Sequence, residues 1–375
     1  MSDRLTSTSV DRWGRSTSRN HLLDRAGGQP GPGLRSVRSP HRLFQLFASF
    51  PMTSISPRSG AAATHENRVS IIGCGRVGMS SAYALIQSSF VRELVLVGRS
   101  FEKTEGEVMD LTHAVSVPMK SPVQVINGTY ADAARSSIVV VTAGDSTGGT
   151  DVSRLDLLEK NATIVRDILA QLRQEGFNGI LVMATNPVDV LSRLAQQVSG
   201  LPANQVIGTG TLIDTARLRG LIAQALQVEP RAVDAYIVGE HGDSEVAAWS
   251  RATVAGVALT RYPGAERLPS PEEMLRRIRR AAPEVVKRKG HTSYAIGLCV
   301  QRICEAVLRD EQAALAVSTL MTGQYGLSDV YLGTPCIVGK NGVEQVIELD
   351  LDAAELAGLQ KSAETLKELQ ASLED

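Results

Sequence analysis

One histidine of this chain lies where proton transfer can be organised. His241, in GEHGDSEVAAWS, is flanked by glycines after an apolar run. A histidine has an ordinary pKa of about 6.5, so near neutral pH it can assist hydride transfer by moving a hydroxyl proton in either direction. Asp214 and Arg217, in IDTAR, are three residues apart and share one helix face. Asp214 can orient the histidine and stabilise its imidazolium, and Arg217 can bind a substrate carboxylate through two hydrogen bonds.

A glycine-rich loop, IIGCGRVG, follows the apolar segment RVSII and precedes a helix rich in small residues. This arrangement is typical of a dinucleotide-binding site. Gly73 permits the tight turn, Gly75 lets a pyrophosphate approach the backbone, and Gly78 lets the helix pack on the strand. The helix begins near Arg76 and Val77, where free N–H groups and the positive end of the dipole favour phosphate.

The next strand, ELVLV, lacks the acid that usually ends it. Asp or Glu at this position accepts hydrogen bonds from the adenosine ribose, but this chain has Gly98, Arg99 and Ser100. Gly98 removes a charge that would repel the 2′-phosphate of NADP, and Arg99 can reach that phosphate. Alternatively, Arg99 is solvated and NAD binds without its usual acid. The residues slightly favour dual or NADP use.

Alternating strands and helices predict an α/β fold with a Rossmann-type doubly wound parallel sheet in residues 67–212. We expect an α+β substrate domain in residues 213–375, with two helices (PEEMLRRIRRAAPEVVK and SYAIGLCVQRICEAVLR) and a hairpin that turns near Asn341 and Gly342. The segment AYIVGEHGD is interpreted as a strand running into a loop. Asp352 and Glu355 should cap a final amphipathic helix.

Residues 1–66 have a different composition. They contain nine arginines, no lysine and four acids, which gives a net charge of +5, and they are rich in Ser, Gly and Pro. This composition resembles an organelle transit peptide. A disordered tail, or a true start at Met52, is the favoured alternative. We expect no fold in this segment and a cytoplasmic location, with organelle targeting the less favoured possibility.

The whole chain has a net charge of −1, which gives no indication of a nucleic-acid or membrane partner. No apolar run approaches the roughly 18 residues that a membrane span requires. Four cysteines lack the spacing of a metal site or a disulfide framework, so we expect reduced thiols and no metal: Cys74, Cys299, Cys304 and Cys336.

From about Arg68 to Leu369 the chain resembles the L-lactate/malate dehydrogenase family, and GEHGDSEVAAWS and KGHTSYAIG are closer to its lactate branch. The resemblance implies hydride transfer between a nicotinamide cofactor, NAD by default, and a small 2-oxo or 2-hydroxy acid. Pyruvate and lactate are the expected pair, and a homotetramer or dimer is implied. Malate dehydrogenase, or a broader L-2-hydroxyacid dehydrogenase, is the alternative; an inactive dinucleotide-binding protein is the remote one.

The resemblance also implies roles for single residues. His241 matches the catalytic acid–base, with Asp214 as its partner, and Arg217 matches the substrate-carboxylate arginine. Asn186 matches the asparagine that hydrogen-bonds the substrate oxygen, and Arg154 the mobile-loop arginine that polarises the carbonyl. The remaining matches are Thr292 in the substrate pocket and the strand-end residues Thr142, Ala143, Gly144 and Asn186 at the cofactor.

The chain departs from the family in the closing loop, residues 145–153. GDSTGGTDVSR is one residue longer than usual, and the substrate-choosing position falls on Thr147 or Gly148 rather than on Gln or Arg. Without a second loop cation, oxaloacetate is disfavoured, because an unpaired buried charge costs several kcal/mol. The glycine-rich loop also leaves room for larger 2-oxo acids.

A second departure concerns regulation. In bacterial lactate-type enzymes, an arginine and a histidine at a subunit interface bind a sugar bisphosphate. Arg219 matches that arginine, but Asp234 stands at the place of the histidine. Since a carboxylate repels phosphate, we predict no activation by fructose 1,6-bisphosphate.

Overall fold

The computed structural model describes residues 67–117, 121–145 and 154–373, with Arg154 described by its backbone alone. The predicted tail, residues 1–66, lies outside these ranges, as do Thr147 and Gly148 of the closing loop. The described residues belong to one compact unit, so the predicted domain boundary at residue 212 stays a prediction.

The described residues form fourteen β-strands and nine α-helices. The strands are β1 (Arg68–Ile72), β2 (Glu93–Val97), β3 (Gln124–Asn127), β4 (Ile138–Val141), β5 (Ile180–Met183), β6 (Val206–Gly208), β7 (Val233–Asp234), β8 (Ile237–Val238), β9 (Val246–Ala247), β10 (Thr253–Val254), β11 (Val257–Ala258), β12 (Ala313–Thr322), β13 (Ser328–Gly339) and β14 (Gly342–Val346). The helices are α1 (Arg76–Ile86), α2 (Phe101–Val115), α3 (Tyr130–Ala133), α4 (Arg154–Gln174), α5 (Val188–Ser199), α6 (Leu212–Leu226), α7 (Pro271–Lys289), α8 (Tyr294–Leu308) and α9 (Ala353–Ala371).

A mixed sheet of nine strands runs through the described residues in the order β3-β2-β1-β4-β5-β6-β12-β13-β14. The first six strands pair in parallel. This confirms the predicted doubly wound sheet. Strand order reverses between β1 and β4, and at such a point the loops that follow the two strands diverge and leave a crevice for a ligand.

Apolar residues on both faces of the parallel strands explain their unbroken hydrophobic runs. Along β4, Val139 and Val141 join one buried cluster with residues of α4, α5 and α9. Ile138 and Val140 join a second cluster with residues of α1 and α8. The two clusters hold the sheet between helical layers, so the strand ends at the crevice have a fixed geometry.

The predicted hairpin and terminal helix are confirmed. Val338 pairs with Val343, and Gly342 has a positive φ of 91°, a conformation that favours glycine. Asp352 and Glu355 form the capping box of α9. The strand expected in AYIVGEHGD is only β8, Ile237–Val238, because the backbone turns at the next residue, where φ is also positive.

The later part of the chain, which the sequence analysis predicts to be a substrate domain, continues the parallel sheet. The sequence analysis did not anticipate this connection. Ser318 of β12 pairs with Gly208 of β6 in antiparallel fashion, and β13 and β14 continue the sheet beyond β12. A Cβ at Gly208 would stand 2.7 Å from Ser318 Cβ, so glycine permits this close pairing.

Candidate active site

The glycine loop is held at the crevice by contacts that require glycine. Gly73 has φ of 109°, and a Cβ there would lie 2.5 Å from the Ala143 nitrogen. A Cβ at Gly78 would lie 2.0 Å from the Gly73 oxygen. Thr142 Oγ1 donates a hydrogen bond of 2.7 Å to that same oxygen. The loop after β1 and the end of β4, with Ala143 and Gly144, therefore adjoin each other.

Gly75 is different, because a Cβ there would meet nothing of the protein within 4 Å. It is the N-cap of α1, whose first turn has neither a side-chain cap nor an acid. Arg76 is exposed beside it and Val77 is half-buried. Backbone N–H groups next to open space, with a positive dipole end, fit the pyrophosphate of a dinucleotide. The residues present therefore fit such a cofactor.

Gly98, Arg99 and Ser100 lie directly after β2, at the position that the sequence analysis predicts to adjoin the adenosine ribose. Ser100 caps α2 by accepting a hydrogen bond from the Lys103 N–H at 3.3 Å. Gly98 is half-buried and the Arg99 side chain is exposed. The end of β2 therefore carries a cation and no acid at these three positions.

The structure brings His241, Asp214 and Arg217 together. His241 Nδ1 lies 2.5 Å from Asp214 Oδ2, and Arg217 Nη1 donates to Asp214 Oδ1 at 2.7 Å. The Asp214 side chain is 3% exposed, against 24% for His241 and 22% for Arg217. Because an ionised carboxylate can only accept hydrogen bonds, the Nδ1 proton belongs to His241, and Nε2 is free for a ligand.

Opposing effects set the pKa of His241. Burial lowers it, but the hydrogen bond and charge of Asp214, together with the charge of Asp189, raise the pKa above its ordinary value. The charge of Arg217 acts in the lowering direction. The surrounding carboxylates therefore stabilise the imidazolium of His241 relative to that of an ordinary histidine.

The backbone around His241 is immobilised on three sides. Gly239 exchanges hydrogen bonds of 2.8 Å with Gly333 of β13, and the Glu240 N–H donates to Ser362 Oγ of α9 at 2.8 Å. The His241 N–H donates to Asp189 Oδ2 of α5, also at 2.8 Å. Helices and a strand from distant parts of the chain thus hold this one peptide segment.

Asp189 is a site residue that the sequence analysis missed. Its side chain is buried at 2% exposure, and burial raises its pKa to about 6. The signal in the sequence is an acid inside the apolar segment PVDVL. Above its pKa, Asp189 places a second negative charge close to His241, in addition to that of Asp214.

We predict that Asp189→Asn lowers the pKa of His241. The amide oxygen can still accept the His241 N–H bond, so the variant removes charge with little change in shape. Asp214, Glu240, Glu245 and Arg217 remain as the other charged groups facing these two residues. The measurement is an NMR titration of labelled histidine, with Asp350→Asn, an 87% exposed carboxylate, as the control. An unchanged His241 pKa would contradict the prediction.

Asn161 is a second missed residue. It is 2% exposed in α4. Its Oδ1 accepts a hydrogen bond from the Asp145 backbone N–H at 2.6 Å, and its Nδ2 donates one to the backbone carbonyl oxygen of Asn186 at 2.8 Å. It thereby joins the loops that follow β4 and β5. Asn186 itself is exposed at the crevice, where its side chain is free to face a ligand.

For the remaining residues that the sequence analysis assigns to the site, the structure gives at most a position in the fold. Thr292 is half-buried just before α8, a helix that packs against α6, which carries Asp214 and Arg217. Arg154 begins α4, but its side chain and the adjoining closing loop lie outside the described residues. The roles of Thr292, Arg154 and Thr147 stay predictions.

In residues 67–117, 121–145 and 154–373, no group of three or more His, Cys, Asp or Glu side chains is arranged to hold a metal ion. Within the same ranges, every helix is too short or too polar to cross a membrane.

Comparisons with known proteins agree on one family. A model of the lactate/malate dehydrogenase NAD-binding domain matches residues 67–208, and one of the lactate/malate dehydrogenase α/β C-terminal domain matches residues 211–374. An L-lactate dehydrogenase of Acetivibrio thermocellus is 42% identical over 308 residues, covering 80% of this chain and 96% of the relative. One of Clostridium botulinum is 44% identical over 307 residues, covering 81% and 96%.

Solved structures give the same result. A minor L-lactate dehydrogenase of Enterococcus mundtii, crystallised with ligands bound, superposes with a TM-score of 0.79 at 42% identity, covering 82% of this chain and 99% of that one. A lactate dehydrogenase from a deep-sea metagenome library superposes with a TM-score of 0.80 at 37% identity, covering 83% and 99%.

Proposed function

This chain belongs to the lactate/malate dehydrogenase family, and on that premise we propose that it catalyses the reversible reduction of pyruvate to L-lactate with a nicotinamide cofactor. The observation that carries the proposal is the contact of His241 with Asp214, and of Asp214 with Arg217, beside a dinucleotide-type crevice. A catalytically inactive dinucleotide-binding protein would not need this arrangement.

The residues divide the chemistry among them. Arg217 binds the substrate carboxylate through its guanidinium, which fixes the 2-oxo carbon in one orientation. His241 gives its Nε2 proton to the substrate oxygen in reduction and takes it back in oxidation. Asp214 holds the tautomer and stabilises the imidazolium. The nicotinamide, when bound, supplies or accepts the hydride. Gly73, Gly75 and Gly78 would hold the pyrophosphate at α1.

Further roles in the proposal belong to residues around the substrate. Asn186 would donate its amide to the substrate oxygen, and Arg154 would polarise the carbonyl when residues 145–153 close. Thr292 would line the pocket, and Thr147 would stand near the distal end of the substrate. Water exclusion under a closed loop strengthens each of these polar interactions.

The test of the reaction is a matrix of cofactors and substrates followed at 340 nm. Pyruvate, oxaloacetate, phenylpyruvate and 2-oxoisocaproate should each be tested with NADH and NADPH. We expect kcat/KM to be highest for pyruvate, with a larger 2-oxo acid as the alternative that a roomy loop permits. Oxaloacetate as the best substrate would contradict the proposal and favour malate dehydrogenase.

NAD is the cofactor of the matched family domain, and we propose that this chain also accepts NADP, since Gly98, Arg99 and Ser100 offer no acid to repel a 2′-phosphate. Arg99→Ala should weaken NADPH binding by about 10- to 100-fold, the effect of one charge-assisted contact, and barely change NADH binding. Fluorescence titration measures both dissociation constants. Arg231→Ala, which removes an arginine with a 93% exposed side chain, is the control. Equal weakening of both cofactors would refute this role of Arg99.

We propose a homo-oligomer, a tetramer or dimer, in the cytoplasm. The oligomer is supported by a set of large apolar side chains exposed on helices: Tyr83 of α1, Phe101 and Met109 of α2, and Tyr294 and Leu298 of α8. Their exposure ranges from 54% to 73%. Exposed apolar side chains that form a contiguous patch are typical of interfaces between subunits. Light scattering after size exclusion measures the subunit number.

The predicted lack of activation by fructose 1,6-bisphosphate now has a geometric basis. Arg219 Nη2 lies 3.2 Å from Asp234 Oδ1, and its guanidinium lies 4.8 Å from the centre of the Tyr236 ring. The carboxylate of Asp234 at this position repels a phosphate group that approaches Arg219. We therefore expect the KM for pyruvate to stay unchanged on addition of the bisphosphate; a large fall would contradict this.

A further inference from the structure

A second residue helps to exclude an acidic side chain from the end of β2, and the sequence analysis did not identify it. We propose that Thr104 is a specificity-determining residue for the cofactor, because its hydroxyl occupies the space that an acidic side chain at position 98 needs for its first carbon. The inference rests on the proposed nicotinamide-dependent function and extends it to a residue outside the glycine loop.

The distances identify the hydroxyl as the obstacle. An ideal Cβ built on Gly98 would stand 2.1 Å from Thr104 Oγ1, far inside van der Waals contact. The same Cβ would stand 3.5 Å from Thr104 Cβ and 3.4 Å from Cys74 Sγ, which are ordinary contacts. An alanine at position 104 would therefore leave room for an aspartate at position 98, whereas threonine does not.

Thr104 cannot easily yield that space. It is 2% exposed, and its Oγ1 donates a hydrogen bond of 2.9 Å to the backbone carbonyl oxygen of Ser100. Rotation about its Cα–Cβ bond would break this bond, and one of the two other staggered positions would bring the methyl group to the same place. Overpacking of this kind destabilises a core or forces the backbone to shift.

The consequence is that Gly98 and Thr104 act as a pair. Threonine at 104 excludes an acid at 98, and glycine at 98 leaves the end of β2 without the acid usual at that position. An acid at position 98 should therefore change cofactor preference only when position 104 changes with it.

The experiment compares four proteins as purified full-length chains: the parent, Gly98→Asp, Thr104→Ala and the double variant. Tm is measured for each, and dissociation constants for NADH and NADPH are obtained by fluorescence titration. Gly98→Asp should lower Tm by several degrees and weaken both cofactors. The double variant should regain the Tm of the parent. Its ratio of the Kd for NADPH to the Kd for NADH should be at least about tenfold higher than that of the parent, the effect of one charged contact. Thr104→Ala alone should leave the ratio unchanged.

Matched controls lie on the same helix. A Cβ at Gly106 would meet nothing within 4 Å, so Gly106→Asp tests an added acid without the clash, and Thr112→Ala removes an exposed threonine. Neither should alter the cofactor ratio. If Gly98→Asp alone is as stable as the parent and already shows the ratio of the double variant, Thr104 is not a determinant.

The outcome also separates this inference from the cofactor proposal. A parent that strongly prefers NADH would remove NADP use, yet the recovery of Tm in the double variant would still support the steric pairing. If Gly98→Asp does not fold, the double variant alone decides: failure of that protein to fold, or an unchanged cofactor ratio, overturns the inference.

Discussion

Replacing His241 with asparagine should lower kcat for pyruvate reduction by about 10²- to 10⁴-fold, the usual contribution of a positioned acid–base group. Asparagine keeps a polar side chain of similar reach but cannot give a proton to the substrate oxygen. Arg217 remains to bind the carboxylate, so the KM for pyruvate should change far less than kcat. Initial rates at 340 nm, over a range of pyruvate concentrations, measure both constants.

His291→Asn is the matched control, since His291 is a half-buried residue that precedes α8 and contacts the Lys289 oxygen. It should keep the kcat of the parent. The parent itself should lose reduction activity as pH rises through the raised pKa of His241, because reduction needs the imidazolium; lactate oxidation should show the opposite limb. A His241→Asn protein as fast as the parent would end the proposed mechanism.

Replacing Arg217 with methionine should lower kcat/KM for pyruvate by about 10²- to 10⁴-fold. Removing one partner of a buried ion pair costs about 3–5 kcal/mol, and that cost converts to this range. Here the loss would fall mainly on KM, because the substrate carboxylate loses its cation. Arg217→Lys should lie between the two proteins, since lysine keeps the charge but not the planar fork.

Arg219→Met is the control for this second prediction. Arg219 lies two residues further along α6 and pairs with Asp234 instead, so its loss should leave the pyruvate KM unchanged. An Arg217→Met protein with the KM of the parent would show that the substrate carboxylate is bound elsewhere.

Local patterns were enough to predict much of the site. The spacing of Gly73, Gly75 and Gly78 describes a turn within a few residues, and the three-residue interval from Asp214 to Arg217 fixes a shared helix face. Short-range geometry of this kind follows directly from the backbone. The parallel strands could be predicted because burial on both faces leaves an unbroken apolar run.

The missed residues depend on contacts between distant parts of the chain. Asp189 reaches His241 across 52 positions, and Asn161 reaches Asn186 across 25. Thr104 is six residues from Gly98, but its importance comes from the direction of one oxygen atom. Likewise, no periodicity reveals that β12 pairs with β6, because that register is set by packing.

The continuity of the nine-stranded sheet has a consequence for folding. Gly208 and Ser318 join the cofactor half to the catalytic half through strand pairing, and Gly239 ties the backbone before His241 to Gly333 in that same sheet. The glycine-loop crevice and the backbone before His241 are therefore attached to one continuous nine-stranded sheet. Formation of this sheet during folding therefore brings the two parts of the candidate site together.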